Sequence, residues 1–182
     1  SFRCDAASAG VVLEDGRSIS APLLIGADGR NSPTRAWLGI GVKSWWYKQA
    51  AIVCNVAHAL DHENVAVEHF LPAGPFAVLP MTDDAGGHHR SSVVWTVSEA
   101  EAQAILKIPP AKFDAQLQQL FGPHLGAVRA VSKPMSYPLG LMHAESYTAP
   151  RVALMAEAAH VVHPIAGQGL NLSMRDIAVL SE

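Results

Sequence analysis

The sequence Arg151-Val-Ala-Leu-Met-Ala-Glu-Ala-Ala-His-Val-Val-His-Pro-Ile-Ala-Gly-Gln-Gly-Leu-Asn171 is the most informative part of this chain. It predicts a buried strand, an acidic residue, a proline turn, a Gly-Gln-Gly kink and then an amphipathic helix. Glycines at such a turn let a ligand approach the backbone, and the helix start offers unpaired N–H groups. The pattern favours a cofactor cradle, although a plain strand–loop–helix connection with turn glycines also fits it.

A second segment has a similar design. Residues 22–29, Pro-Leu-Leu-Ile-Gly-Ala-Asp-Gly, predict a short apolar strand that is buried on both faces and ends in a glycine turn. Residues 30–37 predict a polar loop that leads into a short helix. Because both segments end a buried strand in a glycine turn, we expect them to build one site together.

The middle of the chain has a different texture. Alternating apolar runs predict antiparallel strands, a turn at residues 83–87 and a further strand at residues 127–133. A capping-box pattern begins a helix at Ser98, and a second helix follows Pro110. The four predicted strands span residues 50–57, 64–70, 75–81 and 91–97, and a hairpin is predicted near the start at residues 11–19. The fold class is therefore α/β (α+β), with a mostly antiparallel sheet inserted between two α/β pieces.

Composition narrows the class of protein. Of the 182 residues 49% are hydrophobic and only 16% are charged, below the usual quarter or so, and the formal net charge is −3. A chain without a basic run is a poor match for nucleic acid, and no apolar stretch is long enough for a transmembrane helix. Cys4 and Cys54 fit no metal or redox spacing and suit a reducing compartment.

Two motifs carry a family resemblance that covers essentially the whole chain. Gly26-Ala-Asp-Gly-Arg-Asn-Ser32 resembles the "DG" motif of the FAD-dependent aromatic hydroxylases, the para-hydroxybenzoate hydroxylase superfamily. Residues 155–160 with His163-Pro164 and residues 167–171 are similar to the family's second flavin motif. Residues 163–172 with Arg175-Asp176 most resemble the ubiquinone-biosynthesis hydroxylases, and residues 49–58 and 68–80 resemble the same subfamily. The resemblance implies part of an FAD/NAD(P)-binding Rossmann-like domain at residues 1–42 and 141–182, with a β-sheet substrate domain at residues 43–140.

The resemblance also implies a set of cofactor-binding residues. The counterpart of Asp28 helps to hold the pyrophosphate and ribityl region of FAD, whereas a turn aspartate that binds backbone N–H groups remains the alternative. Glu157 stands where the family usually has Asp and accepts a hydrogen bond from a ribityl hydroxyl, and Ala156 replaces the preceding glycine. Residues 164–171 wrap the pyrimidine edge of the flavin ring, with Pro164 near the ring and substrate. The full set is Asp28, Gly29, Arg30, Ala156, Glu157, Pro164, Gly167, Gln168, Gly169, Leu170 and Asn171.

Other candidate residues have weaker patterns. Arg30 suits either a phosphate or nicotinamide contact or a solvated loop. His160 and His163 lie at i, i+3 spacing, but no third ligand has a defined spacing, so no metal site is expected. The aromatic residues Trp45, Trp46 and Tyr47 suit a prenyl or ring pocket, while a core or surface aromatic cluster is favoured.

The function implied by the resemblance is hydroxylation of an aromatic, prenylated substrate with FAD, NAD(P)H and O₂. Such a protein is expected in the cytoplasm or peripheral to the inner membrane, where it associates with the membrane or with a biosynthetic complex. The chain begins at Ser1 without the family's N-terminal Gly-x-Gly-x-x-Gly and ends at Glu182 inside a helical pattern. An internal fragment that is inactive alone is therefore expected.

Two other functions remain open. Flavin motifs do not encode the substrate, so another aromatic compound is the alternative within the same class. The departures at Ala156 and Glu157 favour a different class, a flavin-poor homologue that acts as a non-catalytic subunit of a biosynthetic complex.

Overall fold

The strands and helices of the chain are defined in a computed structural model that describes all residues 1–182. The strands are β1 Phe2–Cys4, β2 Ala9–Val12, β3 Ser18–Ala21, β4 Leu24–Gly26, β5 Val42–His58, β6 Val67–Leu71, β7 Gly74–Met81, β8 His89–Ser98, β9 Val128–Ala130, β10 Met135–Ala144, β11 Thr148–Ala149, β12 Val152–Leu154 and β13 His160–Val161. The helices are α1 Pro33–Trp37, α2 Glu99–Ile105, α3 Pro110–Phe121 and α4 Gly169–Ser181, with 3₁₀ turns at Ala156–Ala158 and Pro164–Ala166. This mixed α/β content with antiparallel sheets confirms the predicted fold class.

The chain divides into two compact units, residues 1–47 with 140–182 and residues 48–139. The predicted boundaries lie after residues 42 and 140. Strands β5 and β10 each run across a boundary, so the two units share continuous strands.

The unit of residues 48–139 is an antiparallel sheet backed by helices. Strand β8 pairs with β5 and β7, β7 pairs with β6, and β9 pairs with β5. Alternate residues of β5 from Ala50 to Val56 are buried against α3, whose Phe113, Leu117 and Phe121 form the buried face of the helix. This burial follows from the period of two in a strand and of 3.6 in a helix.

Helix α2 begins as its capping box predicts. The Ser98 hydroxyl accepts the Glu101 N–H, and the Glu101 carboxylate accepts the Ser98 N–H at 3.0 Å. These reciprocal bonds satisfy two N–H groups that the helix leaves unpaired.

The unit of residues 1–47 and 140–182 contains two three-stranded sheets. In one, β1, β2 and β3 are antiparallel, and the predicted hairpin turn has Gly16 at φ 84°. In the other, β12 lies between β11 and β4 and is parallel to β4.

One prediction about β4 is wrong. The strand is not buried on both faces, because Gly26 is buried whereas Ile25 is 46% exposed. Strand β4 is a three-residue edge strand, and the side of it that carries Ile25 is open to solvent. A run of apolar letters did not distinguish this edge from a central strand.

Candidate cofactor-binding site

The two glycine-turn segments meet at the ends of neighbouring parallel strands. Residues 24–26 of β4 pair in register with residues 152–154 of β12. Beyond the pairing, the Met155 N–H donates to the Gly26 carbonyl at 3.0 Å. Since parallel strands end at the same edge of a sheet, the loops after Gly26 and Met155 leave the sheet side by side, as the sequence predicts.

The loop after β4 is organised around the start of α1. The Asp28 carboxylate accepts the Thr34 N–H at 2.9 Å, and the Ser32 hydroxyl accepts the Arg35 N–H at 2.9 Å. Burial opposes ionisation of Asp28, but hydrogen bonds from Ser32 and Thr34 outweigh it and lower the pKa of this carboxyl. Asp28 therefore binds backbone as a turn aspartate does, while its side chain stays exposed beside Gly29.

Arg35 ties this loop to the second motif. Its guanidinium donates to the Ala158 carbonyl at 2.7 Å and to the Arg30 carbonyl at 2.8 Å. The rigid fork of a guanidinium can serve two acceptors at once, which a lysine ammonium does less well. One partly buried side chain thus fixes the distance between the two segments.

The second motif forms a tight turn after β12. Ala156 adopts a left-handed conformation with φ 53°, which costs a residue with a Cβ roughly 1–2 kcal/mol. It begins the 3₁₀ turn Ala156–Ala158, and Glu157 at the centre of that turn is exposed. The backbone thus adopts a glycine-like conformation although the residue is alanine.

A carboxylate of α4 holds this turn. Asp176 Oδ2 accepts the Ala156 N–H at 2.8 Å and lies 2.7 Å from His160 Nε2, which donates to it. The ring of Tyr147 lies near that of His160 with centroids 5.9 Å apart, and the Tyr147 hydroxyl lies 3.1 Å from His143 Nε2. Burial and the Asp176 carboxylate raise the pKa of Tyr147.

The glycine kink and the start of α4 form an open surface. Gly167 has φ 60°, and a Cβ added at Gly29, Gly167 or Gly169 would meet no atom within 4 Å. The first N–H groups of α4 have no partner within the helix, as in any helix, and no side chain caps this N-terminus. These residues fit FAD, because close approach to bare backbone and free N–H donors are what an electron-rich flavin edge and phosphate groups require.

The remaining predicted residues lie on the same exposed stretch. Pro164 begins the 3₁₀ turn Pro164–Ala166, and Leu170 is 73% exposed. The side-chain amide Nδ2 of Asn171 donates to the side-chain Oε1 of Gln168 at 3.2 Å across the helix start. The structure places residues 164–171 in one continuous surface segment, whereas for Arg30 it provides only a backbone carbonyl bound to Arg35.

The histidines and aromatic residues have definite partners. His163 packs edge-on against Tyr47 with ring centroids 5.1 Å apart, and its Nδ1 accepts the Ile165 N–H. Burial lowers the pKa of His163, which favours the neutral ring. Trp45 and Trp46 are more than half exposed, so their rings lie at the surface and not in a core.

Sequence reasoning assigns no site role to Arg35 or Asp176, although both organise the site. Their signal is weak, because an arginine in a short helix and an aspartate two turns into a helix are ordinary surface residues. Only the hydrogen bonds that span 123 and 20 residues of chain reveal them.

A parallel strand pair that leads into an acidic turn and a glycine-lined helix start is an arrangement found in nucleotide-binding α/β proteins. A family model described as "FAD binding domain" matches residues 5–182. The chain belongs to this family of FAD-binding domains.

Curated relatives extend the similarity to ubiquinone biosynthesis. The chain is 46% identical over its whole length to "Ubiquinone hydroxylase UbiL" of Rhodospirillum rubrum, of which it covers 41%. It is 38% identical to the Escherichia coli "3-demethoxyubiquinol 3-hydroxylase" over 92% of the chain and 41% of that protein. With the human "Ubiquinone biosynthesis monooxygenase COQ6, mitochondrial" the identity is 36%, over 94% of the chain and 43% of that protein. The chain thus spans about two fifths of the length of these relatives.

Solved structures share the fold. The structure of pqsL, "a probable FAD-dependent monooxygenase" from Pseudomonas aeruginosa, superposes with a TM-score of 0.75 at 25% identity, over all of this chain and 51% of that one. Klebsiella pneumoniae HpxO complexed with FAD superposes with a TM-score of 0.70 at 22% identity, over 99% of this chain and 48% of that one, which supports the fold alone. None of the helices has the length and apolar character needed to cross a membrane.

Proposed function

We propose that this chain is part of an FAD-dependent monooxygenase that hydroxylates the aromatic ring of a polyprenylated phenol in ubiquinone biosynthesis. In this proposal, residues 1–42 and 141–182 belong to the FAD-binding domain and residues 43–140 to the substrate domain. The names of the relatives in Rhodospirillum rubrum, Escherichia coli and human support the reaction class and the substrate class.

The observation that carries the proposal is the meeting of the two glycine-turn segments. Pairing of β4 with β12 and the bonds of Arg35 bring the loop of Asp28 and the turn of Glu157 to one edge of a sheet. Asp176 connects the turn of Glu157 to α4, whose N-terminus has no side-chain cap. An exposed carboxylate, bare glycine backbone and an uncapped helix start are groups that can bind the ribityl chain, phosphates and ring of a flavin nucleotide.

Each part of the site has a chemical task. The Glu157 carboxylate is exposed and free to accept a hydrogen bond from a ribityl hydroxyl, for which an anionic acceptor is strong. The N–H groups at Gly169, Leu170 and Asn171 can stabilise negative charge on the flavin ring when it is reduced. Gly29 and Gly167 leave space for close approach, and Pro164 borders the same segment on the side proposed to face ring and substrate.

When bound, FAD supplies the redox chemistry, taking two electrons from NAD(P)H and activating O₂. The overall reaction balances as an aromatic C–H, O₂, NAD(P)H and H⁺ giving an aromatic C–OH, water and NAD(P)⁺. One oxygen atom enters the substrate and the other leaves as water. In this reaction the chain itself binds and orients the cofactor and the substrate and stabilises charge. It contributes no nucleophile.

A polyprenylated substrate partitions into membranes, so we expect the enzyme to act at a membrane surface or in a complex there. The exposed side chains of Trp45 and Trp46 are suited to an apolar partner, since tryptophan favours interfaces that are apolar on one side. We propose peripheral association with the inner membrane on this basis.

The test is to purify the intact protein, measure its flavin by absorbance, and assay hydroxylation of a short-chain prenylphenol with NADH or NADPH. We expect one FAD per chain and product that contains one atom of ¹⁸O from ¹⁸O₂. The protein could instead oxidise NAD(P)H and hydroxylate another phenol but not the prenylphenol. That result would show that its substrate is a different aromatic compound.

Ala156 favours a second function, that of a flavin-poor subunit of a biosynthetic complex. Its Cβ stands where the family has glycine, beside the carboxylate that faces the cofactor. If this function holds, the intact protein carries little FAD, and Ala156→Gly with Glu157→Asp raises FAD affinity strongly. Full flavin occupancy of the unchanged protein would rule out the second function.

A further inference from the structure

Three elements that are distant in sequence converge on one oxygen atom. Asp176 Oδ2 accepts the Ala156 N–H of the 3₁₀ turn and the Nε2–H of His160, the first residue of β13. The side chains of Asp176 and His160 are only 19% and 10% exposed. A carboxylate shielded to this extent is stabilised by such donors, so both bonds are integral to its placement.

The bond to Ala156 has a specific consequence. Ala156 is held at φ 53°, which an L-residue adopts only when its surroundings compensate. An anionic acceptor that fixes the Ala156 N–H provides this compensation. The direction of the next residue, Glu157, depends on this turn.

The same carboxylate links the turn to the start of α4. Asp176 lies seven residues after Gly169, two turns along one helix, so its side chain is rigidly connected to the free N–H groups of the first turn. The acidic turn and the helix start are the two parts of the site that contact the cofactor in the proposed function. Asp176 therefore connects the acidic turn to the helix that carries these N–H groups.

We propose that Asp176 is a positioning residue for the flavin: it holds the Ala156–Glu157 turn in its left-handed form, without touching the cofactor. The inference rests on the proposed function. Asp176 differs from residues that stabilise the fold in general, because Asp176 affects flavin binding by fixing the conformation of Ala156.

The test is a rescue experiment in the intact protein. Asp176→Ala raises the Kd for FAD by about tenfold or more when residue 156 is alanine, since an anionic hydrogen bond is lost. When Ala156→Gly is also present, glycine adopts the left-handed form unaided, and Asp176→Ala raises the Kd by less than about threefold. Asp176→Asn, which keeps an acceptor but not the charge, gives an intermediate Kd. An equal loss in both backgrounds, or no loss in either, would overturn the inference.

A matched control is Asp15→Asn, which removes an exposed carboxylate of the β2–β3 hairpin that pairs only with Arg17. Its Kd for FAD stays unchanged. A general fall in stability caused by Asp176→Ala would raise the Kd to the same extent in both residue-156 backgrounds, so a loss confined to the alanine background isolates the turn.

Amide hydrogen exchange provides a readout that needs no flavin. Asp176→Ala accelerates exchange of the Ala156 N–H by about tenfold or more because its acceptor is gone, and Asp15→Asn does not. Protection of Ala156 that survives Asp176→Ala would overturn the inference even if FAD binds. Conversely, wild-type protein without FAD affinity would overturn the proposed function, whereas the exchange result would still decide whether Asp176 holds the turn.

Discussion

Helices α3 and α4 have similar lengths and similar apolar patterns, yet they differ completely in burial. Helix α3 buries Phe113, Leu117 and Phe121, whereas α4 buries no residue and leaves Leu170 73% exposed. The apolar face of α3 packs on a sheet within its own unit, while α4 is attached to the second motif through the polar bonds of Asp176. An amphipathic pattern therefore defines the face of a helix that can be buried, but the surroundings decide whether this face is buried or left exposed.

Truncation of one leucine in each helix should give the largest contrast. Leu117→Ala should lower the free energy of unfolding by about 3 kcal/mol because it leaves a cavity in the core, whereas Leu170→Ala should change it by less than about 0.5 kcal/mol. Urea unfolding of the two variants of this chain measures both values. A comparable loss for Leu170→Ala would break the comparison, because it would show that the face of α4 is covered.

Two glycines of the candidate site allow the same contrast to be made with an added methyl group. A Cβ at Gly26 would lie 2.8 Å from Leu154 Cδ2 and 2.9 Å from Thr34 Cγ2, so Gly26→Ala should cost about 2 kcal/mol of stability. A Cβ at Gly169 meets no atom within 4 Å, so Gly169→Ala should leave the stability of the chain intact or slightly raise it.

Flavin binding should respond to Gly169→Ala although the stability of the chain does not fall. In the intact protein, Gly169→Ala should weaken FAD binding, because its methyl group occupies the approach to the helix start, and fluorescence titration measures the change. Gly169→Ala protein with wild-type FAD affinity would mean that the flavin does not come close to this residue.

The arginine that joins the two motifs should have an intermediate effect. Arg35→Lys keeps the charge but cannot bind the carbonyls of Arg30 and Ala158 together, so we expect a loss of about 1–2 kcal/mol in unfolding free energy. Thermal unfolding compares it with Arg17→Lys, whose ion pair with Asp15 is exposed and should contribute less than about 0.5 kcal/mol. Equal effects of the two substitutions would show that Arg35 is not a structural bridge.

Local patterns of the sequence account for most of the fold. The hairpin of residues 11–19, the Ser98 capping box and the start of α4 at Gly169 each depend on a few adjacent residues, and each is found where it is predicted. The segment at residues 22–29 meets the segment after Arg151, as predicted from their similar strand-and-turn pattern, whereas the parallel pairing of the two strands was not predicted. Burial was harder to predict: the exposure of Ile25 depends on the absence of any element over that side of β4, which no local pattern reports.

The candidate site could be predicted only in part for a similar reason. Turn glycines and the acidic residue Glu157 show their chemistry in the sequence itself. Arg35 and Asp176 act through hydrogen bonds to backbone atoms that lie far away along the chain, and neither residue type nor spacing encodes such partners. The left-handed conformation of Ala156 was equally hidden, because alanine rarely adopts it.

The two cysteines provide the finest comparison between the units. Cys4 is exposed, whereas Cys54 is 3% exposed in the core of the sheet, where burial and the nearby Asp114 carboxylate raise its pKa to about 11 from the usual 9.0. Iodoacetamide at pH 8 should therefore alkylate Cys4 and leave Cys54 unmodified, as mass spectrometry of the peptides would show.

The pKa shift of Cys54 also predicts a dependence of stability on pH. The folded state favours the neutral thiol, so its contribution is complete below about pH 9 and is lost as the pH rises towards 11. Between pH 8 and pH 10 the wild-type chain should lose on the order of 1 kcal/mol more than Cys54→Ala, which lacks this titration. If stability falls with pH equally in the two proteins, Cys54 is not buried. Rapid alkylation of Cys54 at pH 8 would likewise contradict the burial of the sheet face that α3 covers.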